Sequence, residues 1–547
     1  MNEILDHRLR SAWTPEAGNA APLPPHAVSW LTRRIGPLSP SVPAAEPAFT
    51  VPPSGLPTAA HAALAEVVGS DHVLDGESER LGRAGGLSYL DLLRRRHPGD
   101  LAVPDAVVVP GDPDEVQRVV DVCSAHDIAV VPFGGGTSVV GGVAALRGGK
   151  PAVIALDLER LDRLVSVDAT SRLAVFQAGV TGPEAQRRLA AHGFTLGHVP
   201  QSFERATLGG FAATRSAGQA SAGYGRFEDM VQGVRLATPA GPWRLGVAPA
   251  SAAGPDLRAL AVGSEGTLGV ITEVTVRVRP LPEREHYEGF VLKGWRHAVA
   301  LVRMLAQNGL SADVTRVSDV DETAVSLALK GGLATKALRG YLTARGVHEP
   351  CLLILGWHGH APQRARARKL LKGAGAVSLG KAPGQAWRKG RFAGPRQRDA
   401  LLDLGVCVET LETATHWSRI GELYDSVRAA LRGALDRPLV MCHISHTYET
   451  GASLYFTVLA ARDPHDPFGQ WERAKRAASE AISEGGRGTI SHHHAVGVDH
   501  APYLPAEIGD VGMAVLAAAK RAADPKGILN PGKLGLPDTE DGADEPR

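Results

Sequence analysis

The chain has 547 residues, 44% of them hydrophobic, and its 59 basic and 58 acidic side chains leave a net charge of +1. A single core stops growing at roughly 250–300 residues, so two or more domains are expected. The charge balance gives no electrostatic reason to expect nucleic-acid binding. Cys123, Cys351, Cys407 and Cys442 lie far apart and form no C-x-x-C pair, which argues against a disulfide framework or a thiolate zinc site. MNEILDHRLRSAW lacks the basic region and apolar core of a secretory signal, and the end ADEPR is not an S-K-L address. No apolar run reaches the ~18 residues of a membrane span. A cytoplasmic protein is the default expectation, and the Arg-over-Lys and Ala/Gly richness points to a high-GC bacterial source.

Residues 1–60, rich in Pro and Ala, predict short helices and extended connectors, and SYLDLLRRRH (88–97) reads as a helix. DAVVVP (105–110) is a short β run. Asp112 can cap the next helix, with Pro113 at its first position, Glu115 in its first turn, and one apolar face from Val116, Val119, Val120 and Cys123. β runs follow at 128–133, 152–157 and 172–179, then a helix over 183–192, a turn-rich stretch over 197–226, and VTVRVRP (274–280), which alternates like a half-buried strand. After Pro280-Leu281-Pro282 the pattern predicts helices near 295–308 and 319–329, a β run over 351–357, an Arg/Lys-rich helix over 363–372 and a β run over 453–461. These lack βαβ spacing, so an antiparallel sheet with helices on one side is expected. A glycine-rich stretch from about 483, a helix over 506–522 and DPKGILNPGKLG follow; the last ten residues are expected to be disordered.

Gly134-Gly135-Gly136-Thr137-Ser138 sits between two β runs. Glycines let several backbone N–H groups approach one anion, and Thr137 and Ser138 add hydroxyl donors, so the loop suits a pyrophosphate; a plain hairpin turn is the alternative. Two further Gly/Ser/Thr-rich stretches, PQSFERATLGGFAATRSAG (200–218) and GSEGTLGVIT (263–272), could help wrap an extended dinucleotide. PFGGGTSVVGG, TLGGFAATRSAG and GSEGTLGVIT resemble, in order and approximate spacing, the three FAD-binding stretches of the vanillyl-alcohol-oxidase-type (PCMH-type) flavin fold.

That resemblance implies an α+β protein. An N-terminal helical and extended region (1–99) precedes a two-subdomain PCMH-type FAD-binding domain (100–282). A cap or substrate domain with an antiparallel sheet and helices (283–482) follows, then a segment (483–535) that completes the active site and packs on the FAD domain, and a disordered tail (536–547). FAD is expected to be non-covalent, since PFGGGTSVVGG holds no flavin-linking His or Cys. The resemblance places the pyrophosphate at Pro132, Phe133, Gly134, Gly135, Gly136, Thr137 and Ser138. It places the flavin side at Pro200, Gln201, Ser202, Phe203, Glu204, Arg205 and Ala206 and at Ala213, Thr214, Arg215 and Ser216. Glu265, Gly266, Thr267, Leu268, Gly269, Val270 and Ile271 would meet the adenosine and ribityl parts.

In the C-terminal half, Ser491-His492-His493-His494 precedes Ala495-Val496-Gly497. Adjacent histidines point in different directions and make no i,i+4 chelating pair, so no metal is expected; imidazole suits proton transfer, and an exposed polar loop is the alternative. S-H-H-H-x-V-G resembles the alkyldihydroxyacetonephosphate synthase family, flavoenzymes of ether-lipid synthesis. Arg398-Asp399 in RQRDALLDLGV, GASLYF (451–456), Arg316 in VTRVSD, and Thr413–Trp417 in VETLETATHW, which resembles a helix start, agree with it. The resemblance implies that Tyr455 is the acid/base, that His492, His493 and His494 assist proton transfer beside the flavin, that Arg316 is needed for activity, and that Arg398 holds the substrate phosphate, which a guanidinium can grip by two oxygens. The implied reaction exchanges the acyl chain of acyl-dihydroxyacetone phosphate for a long-chain alcohol without net electron transfer, with the flavin as electron sink and covalent holder. An apolar tunnel between the domains, a homodimer and peripheral membrane contact are also implied.

Ala495 departs from the family's usual Gly, and Ser202–Ala206 matches its flavin stretch only loosely. The rivals are a D-2-hydroxy-acid dehydrogenase on the same fold and a passive FAD binder. The dehydrogenases' H-x-G-D-G-N-x-H and E-H-G-x-G patterns are missing at 443–448 and 491–497, and a passive binder needs neither Tyr455 nor the histidines.

Overall fold

The computed structural model describes residues 23–40, 51–95 and 101–537 (backbone only at Ala334, Pro395 and Arg396). The last residues of the helix expected over 88–97, and all but the start of the tail expected over 536–547, lie outside them. Strands β1 (Val73–Leu74), β2 (Ala106–Val108), β3 (Ala129–Phe133) and β4 (Val153–Asp157) form one sheet in the order β1-β2-β4-β3. β2, β4 and β3 run parallel and β1 antiparallel. Parallel neighbours need a crossover, and the helix Pro113–Ala125 supplies it. The Asp112 carboxylate caps this helix by accepting from the N–H groups of Asp114 (2.9 Å) and Glu115 (2.8 Å), and Val116, Val119, Val120 and Cys123 are buried. This layer begins well ahead of residue 100: Leu64 and Val68 of the helix Thr58–Val68, with Val73 of β1, share a core with Val108 and Val119.

The chain continues through β5 (Leu164–Asp168), β6 (Leu173–Gln177), β7 (Phe194–Thr195), β8 (Val231–Ala237), β9 (Trp243–Leu245), β10 (Val270–Arg277) and β11 (Arg279–Pro280). β5-β6-β10-β8-β9 form an antiparallel sheet, and β7 and β11 a short ribbon. In β10, Val274 and Val276 are buried while Thr275 and Arg277 are half-buried, the period-2 pattern of its sequence.

The third sheet contains β12 (Glu285–Lys293), β13 (Val314–Ser318), β14 (Pro350–His358), β15 (Val377–Gly380), β16 (Val406–His416), β17 (Leu439–Ile444) and β18 (Gly451–Ala461). Its order is β15-β12-β14-β13-β17-β18-β16, antiparallel throughout. One face packs Val317, Cys442, Phe456 and Val458 against Leu305, Val427 and Trp471 of the helices Trp295–Gln307, Ile420–Ala434 and Pro467–Ser483. The expectation of helices on one side only is corrected here. Helices Pro25–Ile35, Val320–Lys330, Ala382–Gly390 and Gly394–Asp403 flank the other face and border a chamber. That face carries polar side chains, which cannot be sealed under an apolar helix without losing their partners. A second correction concerns VETLETATHW. Its residues to His416 are the end of β16, paired from Val406↔Ala461 to His416↔Gly451, and the helix starts only at Ile420. The ladder to β18 takes up those backbone groups first.

The C-terminal segment returns to the first sheet: Val130 donates its N–H to Ile528 O (2.8 Å), and Asn530 donates its N–H to Val130 O (2.8 Å). No helix among the described residues is long and apolar enough to cross a membrane.

Candidate active site

The chamber between the N-terminal sheets and the seven-stranded sheet has a cavity volume of about 500 Å³. On one wall the glycine loop follows β3 directly. A Cβ on Gly135 would lie 2.2 Å from Arg205 O and 2.9 Å from Ala206 Cα, so the two loops touch backbone to backbone. Asn530 ties the third stretch to the first, donating its Nδ2 to Glu265 O (2.6 Å) and Gly142 O (3.1 Å). Glu265 faces the other way: its carboxylate accepts the N–H groups of Val496 and Gly497 (2.8 Å each), and burial pushes its pKa up to about 7.

Of the residues assigned to FAD, Pro132–Ser138, Pro200, Gln201, Ser202, Ala206, Ala213, Thr214, Ser216, Glu265, Gly266, Gly269 and Ile271 border the chamber. Phe203, Glu204, Arg205, Arg215, Thr267, Leu268 and Val270 do not, because a turn presents only part of its side chains to one side. Phe203 stacks on Phe392 (5.7 Å), Arg215 reaches the carbonyls of Val262 (2.9 Å) and Ala259 (2.5 Å), Thr267 donates to Ser264 O (2.7 Å), and Arg205, Leu268 and Val270 are buried. A loop without Cβ atoms, followed by two hydroxyls at the chamber wall, fits a pyrophosphate-bearing cofactor such as FAD.

The opposite wall is set by strand register. Ser318 of β13 faces His443 of β17, His443 faces Tyr455 of β18, and Tyr455 faces Glu412 of β16. Opposed residues project to the same face, and Arg316, two residues from Ser318, joins them. The Tyr455 ring stacks on His443 (4.7 Å between centroids, 21°). Burial pushes the Tyr455 phenol up to about 12, so it is protonated at neutral pH. Arg316 contacts His443 Nε2 through Nη1 (3.0 Å), and His443 Nδ1 lies 3.1 Å from Glu322 Oε2. The other terminal nitrogen of Arg316 pairs with Glu322 Oε1 at 2.5 Å. Burial and then Arg316 hold the His443 imidazole below its usual range. Burial works to raise Glu322, but His443 and Arg316 outweigh it and hold the carboxyl down at about 2.

Glu412, 2% exposed, organises the histidine loop. It accepts the N–H groups of His492 (3.1 Å), His493 (2.6 Å) and His494 (2.6 Å) and the Ser491 hydroxyl (3.0 Å), and lies 3.0 Å from His493 Nδ1. Burial opposes its ionisation, yet His493 and His494 with these donors keep it well below the usual carboxylate range. His493 and His494 border the chamber within 6.1 and 5.7 Å of the Tyr455 ring. His492, placed beside the flavin by the resemblance, is instead buried behind the wall, where its Nε2 meets the Tyr448 hydroxyl at 2.6 Å. Burial depresses both His492 and His494, the latter to about 3. His446, His492 and His493 bring nitrogens within 4.8 Å of one another, but the rings of His446 and His492 stack at 25°. Imidazole lone pairs lie in the ring plane, so two nearly parallel rings do not aim at one ion.

Arg398 reaches the chamber, but its fork is not open: Nη2 donates to Leu87 O (2.7 Å) and Nη1 lies 3.5 Å from the buried Glu409. Its Nε has no hydrogen-bond partner. His443, Glu322, Glu412 and Tyr448 were not named as site residues, although Glu412 lies in VETLETATHW and His443 and Tyr448 in the 443–448 stretch, since only strand register and loop packing bring them to the tyrosine and histidines.

Ala495, at the family's usual glycine position, has φ +73°. Left-handed backbone costs a non-glycine residue about 1–2 kcal/mol. Glycine returns part of that through its unfolded-state entropy, so in a chain of this length Ala495→Gly is expected to raise the thermal midpoint by about 1 °C with unchanged activity; a lower midpoint contradicts this strain.

A model described as FAD binding domain matches residues 104–245, and one described as FAD linked oxidases, C-terminal domain, matches 281–534. The chain is 32% identical to alkyldihydroxyacetonephosphate synthase of Dictyostelium discoideum, covering 85% of this chain and 78% of the relative. It is likewise 32% identical to that of Trypanosoma brucei brucei, covering 86% and 79%. A solved alkyldihydroxyacetonephosphate synthase superposes with a TM-score of 0.79 at 28% identity over 94% of both chains. A chamber that sets a glycine loop fit for a pyrophosphate opposite a tyrosine and two histidines, in a chain this similar, leads to one conclusion: the protein belongs to the alkyldihydroxyacetonephosphate synthase family of FAD-dependent enzymes.

Proposed function

We propose that this enzyme replaces the acyl chain of acyl-dihydroxyacetone phosphate with a long-chain alkyl group, and that Tyr455 moves the proton at the reacting carbon. The observation that carries this reading is the placement of Tyr455. It sits between His443 and the His493–His494 pair, in a chamber lined both by the glycine-rich stretches and by the apolar Trp30, Leu31, Leu329, Leu401, Met441 and Leu459. FAD, when bound, supplies an electron sink for that carbon. A phenol held up at about 12 begins as the acid, so a neutral imidazole beside it takes the first proton. His493 and His494, whose rings lie 6.1 and 5.7 Å from the Tyr455 ring, are placed for that role. Arg316 and Arg398 are the guanidinium groups at the chamber wall and the cations nearest a phosphate bound there.

The test is an assay with labelled fatty alcohol and no electron acceptor. Label should enter an alkali-stable ether without oxygen uptake. If no ether forms and D-2-hydroxy acids bleach the flavin instead, a dehydrogenase replaces this reading.

A further inference from the structure

The histidine loop continues behind the chamber wall as a chain of hydrogen bonds. His493 borders the chamber. Its Nδ1 lies 2.9 Å from Nδ1 of His492, and His492 Nε2 lies 2.6 Å from the Tyr448 hydroxyl. Neither His492 nor Tyr448 borders the chamber; His492 is buried and Tyr448 half-buried, next to the exposed Glu449 and Thr450. Backbone contacts fix both ends of the chain. Arg226 donates to His492 O (2.7 Å), Glu412 takes the His492 and His493 N–H groups, and Trp417 Nε1 donates to Tyr448 O (3.1 Å). Around these rings the charged and titratable neighbours are Glu412, His446, His494, Arg226, Glu228 and Asp229.

We propose that Tyr448 and His492 are relay residues that carry a proton from His493 in the chamber to solvent. The inference rests on the proposed exchange. There, the alcohol oxygen bonds to the carbon, the fatty acid leaves as its carboxylate, and the alcohol's hydroxyl proton is released, with no net change in electrons. A chamber filled by two lipid chains has little water to carry that proton away. In the relay, a proton arriving at His493 Nε2 sends the Nδ1 proton to His492 Nδ1. The Nε2 proton of His492 passes to the Tyr448 oxygen, whose own proton goes to water. Glu412, 3.0 Å from His493 Nδ1, stabilises the ring while it is charged.

Tyr448→Phe keeps the ring and removes only the outer link. Ether-forming turnover should fall at least about tenfold, with the substrate KM and FAD content unchanged, since a lost proton-transfer group acts on the chemical step. The solvent deuterium isotope effect should rise, and added imidazole should restore the rate. Wild-type turnover, or a slow variant with neither a larger isotope effect nor imidazole rescue, overturns the relay. A second measurement needs no turnover: in protein with nitrogen-15 histidine, the short Tyr448–His492 bond should give a far-downfield proton resonance that Tyr448→Phe abolishes. Its absence from the wild type overturns the relay, even in protein that makes no ether, so the two proposals fail separately. If Tyr448→Phe loses FAD, the wild-type proton inventory decides: a curved inventory supports several protons in flight, and a linear one refutes them.

Discussion

Tyr455→Phe is expected to lower ether-forming turnover by about 10²–10⁴-fold, the scale on which a general acid–base group acts. The substitution removes one oxygen from a side chain whose ring is held by His443 on one side and approached by His493 and His494 on the other. The ring keeps its stacking, so melting temperature and bound FAD should stay at wild-type values. Because burial raises the phenol to about 12, it does not ionise between pH 6 and 9. Any rate profile the wild type shows in that window therefore belongs to other groups, and Tyr455→Phe should lower the profile without moving its inflections. Rates measured at saturating substrate decide the matter. A variant within about threefold of wild type would remove Tyr455 from the mechanism, leaving the imidazoles as the acid.

The second large effect is expected from Gly135→Val, which should yield protein without FAD. Sequence reasoning attributes this to a glycine loop that must let its backbone approach a pyrophosphate. The structure adds a nearer obstacle: the new Cβ would meet the Arg205 carbonyl oxygen at 2.2 Å and Ala206 Cα at 2.9 Å, both backbone atoms. Neither loop can yield by rotating a side chain, so the first and second cofactor stretches must separate. Gly135→Ala carries the same Cβ and should lose FAD almost as completely, which a simple dependence on side-chain bulk would not produce. The flavin-to-protein absorbance ratio of the purified variants measures this. Full occupancy in Gly135→Val would show that the loop does not hold the cofactor.

The chemistry of single turns was legible without the fold. Asp112 followed by Pro113 and Glu115 specifies a helix start because the cap acts over three residues, and the structure has that cap. The alternation in VTVRVRP specifies a half-buried strand in the same local way. Three glycine-rich stretches marked one wall of the chamber because a backbone that must come close to another group excludes side chains wherever the fold puts it. The motifs named Tyr455, His493 and His494, and the structure sets these three at the chamber wall.

What those motifs face was not legible. Glu412, His443 and Tyr455 come from three strands, and one slipped residue in either ladder would send a member of the row to the opposite face. The same pairing made VETLETATHW a strand end, although its local pattern resembles a helix start. Three consecutive histidines carry no information about which of them borders the chamber. That is decided by Glu412, which draws three successive N–H groups onto one carboxylate and so turns His493 and His494 toward the chamber and His492 toward Tyr448. Local backbone and turn chemistry is written in adjacent residues. The proposed acid–base constellation forms only where distant strands and a loop converge in a low-dielectric wall, and there tertiary structure decides both the contacts and the protonation states.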